Sequence, residues 1–338
     1  MSQTASPPAT HRVIDIPDIG GPEALILKRQ PTPAPGAGEV LIEVHGAGVN
    51  RADVMQRLGT YPMPDNAPTV PGLEVAGVVA ACGPGVKRWK PGDRVCALVV
   101  GGGYAEYCVA PEVQCLPVPD HLTLIEAAGL PEVVFTVWIT IFEQARLTSG
   151  DTLLVHGGAS GVGSMAIQVA TNCGASVIAT AGSDERCAFA RDLGADLAIN
   201  YKTTDFVEAV RRHTQGEGVD IVRDLVGGPY AKRNIACLKM GGRLCYVSLQ
   251  DGLEASFDLL HLLLNRLTVT GANLRRRSVE EKGRLARDIE QRIWPLVRWG
   301  RVKPIIDRTF TLEEAAEAHR ALESGLIAGK AILTPRME

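Results

Sequence analysis

The residues whose types and spacing come closest to a defined chemistry run from Leu153 to Ser164, reading Leu-Leu-Val-His-Gly-Gly-Ala-Ser-Gly-Val-Gly-Ser. An apolar run leads into a glycine-rich turn and then into residues at helical spacing. Small residues let the backbone approach a pyrophosphate, and the start of a helix offers unbonded N–H groups and a partial positive charge. No Gly-Lys-Ser/Thr follows, so this is not a Walker phosphate loop. The turn predicts a dinucleotide site; a tight strand-to-helix turn with no ligand is the alternative. Which dinucleotide it takes depends on the end of the next strand, where NAD sites place an acid that accepts from the ribose 2′-OH. Here that end reads Ala181-Gly182-Ser183, and Arg186 follows one helical turn on. Ser183 can donate to a 2′-phosphate and Arg186 can neutralise it. The missing acid and the basic residue together favour NADPH. Asp184 and Glu185 keep NADH open, and Arg186 can instead pair with Glu185 or Asp192 on a solvated helix.

The elements around that turn supply the context it needs. Short strand-like runs at 152–157, 177–182, 197–200, 219–227, 243–249 and 267–272 alternate with helical segments, one of them capped by Ser183. Parallel neighbours need long crossovers, so this alternation predicts an α/β Rossmann domain, a doubly wound parallel sheet over 131–273. The earlier chain has a different grammar. Runs at 40–49, 73–82, 93–100 and 105–110 are β-branched and separated by Gly, Pro and Asp turns, which predicts a small, partly closed antiparallel barrel. Residues 278–299 and 313–324 read as helices, the second opened by a capping box from Thr311 to Glu314. A closing strand at 330–334 rejoins the first domain, which is then discontinuous: 12–130 with 274–338. Residues 1–11 read as a disordered lead-in.

Composition bounds the possible partners. A chain of 338 residues calls for two domains, and a net charge of −3 gives no reason to expect nucleic acid. No apolar stretch approaches the roughly 18 residues that span a bilayer, and the polar start lacks a secretory signal, so no membrane partner is expected. The eight cysteines are scattered, with no C-x-x-C pair. That suggests packed, reduced thiols and a cytoplasmic location.

With these residues in view, the chain resembles the medium-chain dehydrogenase/reductase superfamily, in its zinc-free quinone oxidoreductase branch and its p53-inducible type. The resemblance runs from about Ile19 to Leu333 and rests on motifs in order. They include GVNRADVMQRLGTYP (48–62), PGLEVAG (71–77), LPEVVFTVW (130–138), HGGASGVG (156–163), TAGSDER (180–186), INY (199–201), LVGG (225–228) and AHRALESGLIAGKAIL (318–333). It implies a GroES-like β-barrel catalytic domain beside the Rossmann domain, and a homodimer or homotetramer. Zinc-dependent relatives carry a Cys ligand in the segment that here reads Gly48–Asp53, and Gly-His-Glu where this chain has Gly72-Leu73-Glu74. Tetrahedral zinc needs such donors, so a metal-free site is expected; the other histidines read as surface or capping residues.

Without zinc or a Tyr-Lys pair, the site offers little electrophilic help to an isolated carbonyl. A quinone or enone spreads the charge itself, and the protein then mainly holds two flat molecules face to face. By resemblance Tyr61 faces that acceptor, the alternative being a ring laid on Pro62. Asn50 holds the nicotinamide or an ordered water, or simply caps the helix that follows; for Asp53 the alternative is only to charge the first turn of that helix. The resemblance further assigns Thr136, Ser160, Gly161, Val162, Tyr201, Ser248, Leu249, Leu274, Gly329 and Lys330 to the NADPH site. Core packing or turn formation is the alternative for Thr136, Tyr201 and the Gly329-Lys330 pair. Arg275, Arg276 and Arg277 read as a solvated charge run of which one at most reaches cofactor. The reaction expected is NADPH-dependent reduction of quinones. The alternatives are an enoyl or 2-alkenal reductase and a non-catalytic NADPH-binding protein.

Overall fold

A computed structural model describes residues 6–65 and 67–335 and divides the chain into two compact units. The first takes in residues up to Val133, Arg275–Arg298 and those from Pro304 on; the second is Val134–Leu274 with Trp299–Lys303. Residues 299–303, expected with the first domain, join the second because Gln168 brackets Lys303. Its Nε2 donates to the Lys303 carbonyl (3.0 Å) and its Oε1 accepts from the Lys303 amide (2.9 Å).

The first unit opens with β1 (Thr10–Asp15), β2 (Ile26–Pro31) and β3 (Glu39–Val49), followed by helix α1 (Arg51–Arg57). Then come β4 (Glu74–Cys82), β5 (Arg94–Leu98), β6 (Tyr107–Pro111), β7 (Cys115–Pro117) and helix α2 (Leu124–Ala127). The expected lead-in partly falls outside the described residues. Its last two residues begin β1 instead, since Thr10 and His11 pair with Pro31 and Gln30 of β2 and His11 is buried. Helix α3 (Pro131–Val137) continues into a stretch of i→i+5 bonds through Gln144, where the Ala145 amide donates to the Thr140 carbonyl. The run Leu124–Gln144 is, against the sequence expectation, long and apolar enough to cross a bilayer. Most of it is buried inside the protein, as in a core helix.

The second unit alternates β8 (Thr152–His156), α4 (Gly161–Asn172), β9 (Ser176–Ala181), α5 (Asp184–Asp192), β10 (Leu197–Asn200) and α6 (Phe206–His213). It continues with β11 (Val219–Asp224), α7 (Ala231–Cys237), β12 (Leu238–Tyr246), α8 (Leu259–Leu264) and β13 (Thr268–Gly271). All neighbours in its sheet run parallel, in the order β10-β9-β8-β11-β12-β13. With β8 counted as the first strand this is the 3-2-1-4-5-6 order of a dinucleotide-binding sheet, and the order reverses beside β8. One face packs Leu154, Ile178, Val222 and Leu244 against Phe206 and Val210 of α6.

The chain returns to the first unit through α9 (Val279–Arg292), α10 (Trp294–Arg298), β14 (Ile306–Thr311), α11 (Ala315–Glu323) and β15 (Lys330–Thr334). The single helix expected over 278–299 breaks at Ile293, ahead of Pro295, whose missing N–H cannot continue the ladder. The capping box at Thr311 is present, with the Thr311 amide donating to Glu314 (2.8 Å). The large sheet of this unit runs β14-β15-β3-β4-β5-β7, with β6 also on β3. It is antiparallel except for β14 and β15. Those two run parallel because helix α11 connects them and returns the chain to the same end. Val13, Ile42, Val44, Val75, Val95 and Leu333 fill its core.

Candidate functional site

In the second unit, β8 ends on His156 and the backbone turns at Gly157, whose φ of +71° suits glycine. Ser160 caps α4: its Oγ accepts from the Gly163 amide (3.0 Å) and donates to the Gly157 carbonyl (2.7 Å). Gly163 must be glycine for space, since a Cβ there would stand 2.1 Å from the Gly157 carbonyl oxygen. Ser160, Gly161 and Val162 thus open a twelve-residue helix behind a turn rich in glycine, the kind of helix start whose first amides lack backbone partners.

Gly182, Ser183 and Tyr201 meet at the ends of β9 and β10. A Cβ on Gly182 would lie 3.0 Å from the Tyr201 hydroxyl, and the Tyr201 amide donates to the Ala181 carbonyl (3.1 Å). Ser183 caps α5 through the Arg186 amide (3.3 Å), which sets Arg186 in the first turn of that helix. Of the two acids that complicate cofactor choice, Asp184 accepts from Asn200 Nδ2 (2.8 Å). Glu185 stays beside Ser183: hydrogen bonds from its own amide and from Ser183 hold its carboxyl below the usual range. Ser248 and Leu249 lie beyond β12, where Leu249 abuts Gly227 of the turn after β11. Sequence reasoning missed the organiser of that turn. Asp224 is buried and accepts from the amides of Val226 (2.7 Å) and Gly227 (3.1 Å). Thr136 and Leu274 are both buried.

His156 corrects the expectation of surface histidines. It is fully buried, bonded to Thr180 Oγ1 (3.0 Å) and Asn234 Oδ1 (2.7 Å), and meets the rings of Phe206 and Tyr230 edge-on. Burial lowers its pKa to about 4. His11 and His319 are buried too.

In the first unit, the residues between β3 and α1 build a polar cluster. Asn50 precedes α1, and its amide donates to Asp53 Oδ2 (2.8 Å). Its side chain links Glu74 to Lys330: Nδ2 donates to Glu74 Oε1 (2.9 Å) and to the Gly48 carbonyl (3.3 Å), and Oδ1 accepts from Lys330 Nζ (2.6 Å). Lys330 also pairs with Glu74 Oε1 at 2.6 Å and donates to the Val49 carbonyl at 3.2 Å. Its three acceptors match its three protons, and Lys330 thereby locks Asn50 and Glu74 together. Glu74 Oε2 accepts from the Glu132 amide (2.8 Å) at the start of α3. Gly48 makes room, since a Cβ there would fall 2.0 Å from Glu74 Oε1. Gly329, at φ +93°, forms the turn before β15.

Asp53 does more than charge a helix turn. It is fully buried and accepts from Gly72 N (3.1 Å) and Tyr104 Oη (3.2 Å); the Tyr104 oxygen lies 3.1 Å from His319 Nε2. Burial raises Asp53 to about 6 and lowers His319 to about 3. Glu132, crowded by burial and by Glu74, rises to about 7. The Asn50-x-x-Asp53 spacing signalled the capping pair, but nothing in the sequence pointed to Tyr104 or His319. Tyr61 is half-buried, with the Arg275 guanidinium 5.0 Å from its ring centre. Burial and nearby Glu132 raise its phenol. Arg275 is only 5 % exposed, which removes it from the expected solvated run.

Comparison with known families accounts for both units. Residues 36–120 match the alcohol dehydrogenase GroES-like domain, and residues 161–289 match the zinc-binding dehydrogenase domain. The chain belongs to the medium-chain dehydrogenase/reductase superfamily. A quinone oxidoreductase of Rattus norvegicus is 33% identical over 95% of this chain and 97% of its own length. A mycobacterial structure complexed with NADPH is 32% identical with a TM-score of 0.86, covering 96% of this chain and 100% of that one. An NAD-dependent alcohol dehydrogenase structure is 33% identical with a TM-score of 0.85 over the same shares. As a member of this superfamily the chain is an oxidoreductase built on a GroES-like domain and a dinucleotide-binding Rossmann unit.

Proposed function

We propose that this medium-chain reductase takes NADPH as hydride donor and reduces quinones or related conjugated carbonyls without a metal. The observation that carries the reading is the glycine-rich turn at Gly157–Gly163, too tight at Gly163 for a Cβ, at the first strand of a sheet ordered as in dinucleotide-binding proteins. Its amides hold the pyrophosphate, and Arg186 and Ser183 hold the 2′-phosphate. When bound, the nicotinamide supplies the hydride. Tyr61 offers a flat face to the acceptor, whose conjugation carries the incoming charge until a proton arrives. The quinone oxidoreductases among the relatives support the acceptor class. Zinc, implied by the matching domain's description, does not fit these residues. Leu73 has no donor atom, and Asn50 and Glu74 already hold the Lys330 ammonium, a cation of the chain's own.

The test is NADPH oxidation with a panel of quinones, enones and enoyl thioesters, before and after exhaustive EDTA dialysis. Quinone turnover that survives chelation is expected. Turnover confined to enoyl substrates would favour the C=C reductase. NADPH binding without turnover of any acceptor would mark a non-catalytic binder, and activity lost with one zinc per chain would overturn the metal-free reading.

Cofactor choice has its own test. Arg186→Ala should weaken NADPH binding by about 1–3 kcal/mol and leave NADH nearly unchanged. Equal losses in fluorescence titrations with both would show that Arg186 does not read the 2′-phosphate.

A homo-oligomer completes the reading. Among the described residues no strand pairs with the outer edge of β13, and Leu259, Leu260, Leu263 and Leu264 of α8 are exposed nearby in sequence. A second copy would cover both, and sedimentation as a 36.0 kDa monomer would count against it. The eight free cysteines, six of them buried, suit the reducing cytoplasm.

A further inference from the structure

The acceptor loop carries Tyr61 between exposed residues. The Tyr61 amide bonds the Met55 carbonyl at 3.2 Å, the Thr60 hydroxyl bonds the same carbonyl at 3.3 Å, and Thr60 and Pro62 are exposed. Such a loop does not by itself fix the plane of a ring. Arg275, far away in sequence, is fixed tightly. Its Nε and Nη2 both donate to the Val100 carbonyl (3.0 and 2.8 Å), and Nη2 also donates to Gln56 Oε1 (2.7 Å). Its own carbonyl accepts from Lys282 Nζ (2.8 Å), which ties it to α9. Gln56 belongs to α1 and donates through Nε2 to the Thr69 carbonyl (3.2 Å). These bonds lie in the guanidinium plane and leave its faces for stacking.

We propose that Arg275 is a positioning residue, a buried flat cation that sets the plane of the Tyr61 ring through the cation–π contact between them. A guanidinium held over an aromatic face within about 6 Å is attracted by the ring's quadrupole, the more so where water is excluded. Nη1, the one guanidinium terminus with no oxygen partner, is also buried, so the charge beside the ring is held out of water. Arg275 then links the acceptor loop to α1 and α9, and the ring keeps one orientation before any acceptor arrives.

This inference rests on the reading of Tyr61 as the acceptor's platform, so the experiment separates the two. In protein labelled with 3-fluorotyrosine, the Tyr61 resonance is assigned by its loss in Tyr61→Phe, the chain having six tyrosines. In Arg275→Met that resonance should move toward the value of free fluorotyrosine; in Arg275→Lys, which keeps the charge without the plane and is the safer variant to fold, it should move part of the way. An unmoved resonance in both variants overturns the proposal, whatever turnover does. Steady-state kinetics with one soluble quinone at saturating NADPH then read the consequence. Arg275→Met should raise the quinone KM about tenfold, the scale of a desolvated cation–π contact, with NADPH affinity unchanged. Tyr61→Ala should raise it at least as much, and adding Arg275→Met to Tyr61→Ala should change little more. Losses that multiply would show Arg275 acting apart from the ring and overturn the proposal. If Tyr61→Ala leaves quinone turnover intact while the resonance moves, the clamp stands and the acceptor reading fails.

Discussion

Lys330→Met is expected to lower the stability of the chain by about 3–5 kcal/mol, the cost of stranding one member of a buried ion pair. Glu74 is fully buried, Lys330 is 5% exposed at the side chain, and their atoms approach to 2.6 Å. Without the ammonium, the carboxylate keeps only the neutral donors Asn50 Nδ2 and the Glu132 amide, and Asn50 Oδ1 loses its partner as well. Methionine fills most of the lysine's volume, so little of the loss would come from a cavity. A companion variant isolates the cause. Lys330→Met with Glu74→Gln removes both charges, and buried pairs replaced together are often tolerated, so the double variant should recover a large part of the loss. Urea unfolding of the two single variants and the double gives the cycle. Losses that simply add would show the two residues to be independent, and the central polar cluster of the first unit would need another explanation.

Gly163→Ala should abolish most dinucleotide binding, with a loss of at least tenfold for NADPH and NADH alike. The added methyl would sit 2.1 Å from the Gly157 carbonyl oxygen and 3.0 Å from the Gly158 Cα, both backbone, so the turn itself must shift. Overpacking of this kind costs about 1–3 kcal/mol of stability where the neighbours cannot rotate away. The shift would also pull Ser160 from its cap and misdirect the first amides of α4. Because the pyrophosphate is common to both cofactors, the loss should not discriminate between them, in contrast to Arg186→Ala. Fluorescence titration with each cofactor, on protein shown by circular dichroism to be folded, provides the check. An unchanged affinity would mean that the turn does not hold the dinucleotide.

Much of this protein could be read from neighbouring residues along the chain. The Gly157–Gly163 turn, the Ser183 cap, the capping box at Thr311 and the alternation of strands and helices from Thr152 to Gly271 depend on contacts a few residues apart. Their periods and turn residues are therefore written locally. The motifs from Gly48 to Leu333 carried the superfamily as well. The candidate site was legible as a set of residues but not as a set of partners. Lys330 reaches Asn50 and Glu74 because β15 pairs with β3, and β3 with β4, across most of the chain's length. Arg275 stands in a run of three arginines that looks solvated, and only the fold buries it against Val100 and Gln56 beneath Tyr61. Asp53, Tyr104 and His319 likewise come together from three distant segments, and their desolvation exists only once the core has closed around them. Local sequence determined which elements form and where a dinucleotide turn opens. Tertiary structure alone decided which charges neutralise one another, because burial and long-range pairing leave no periodicity in the chain to read.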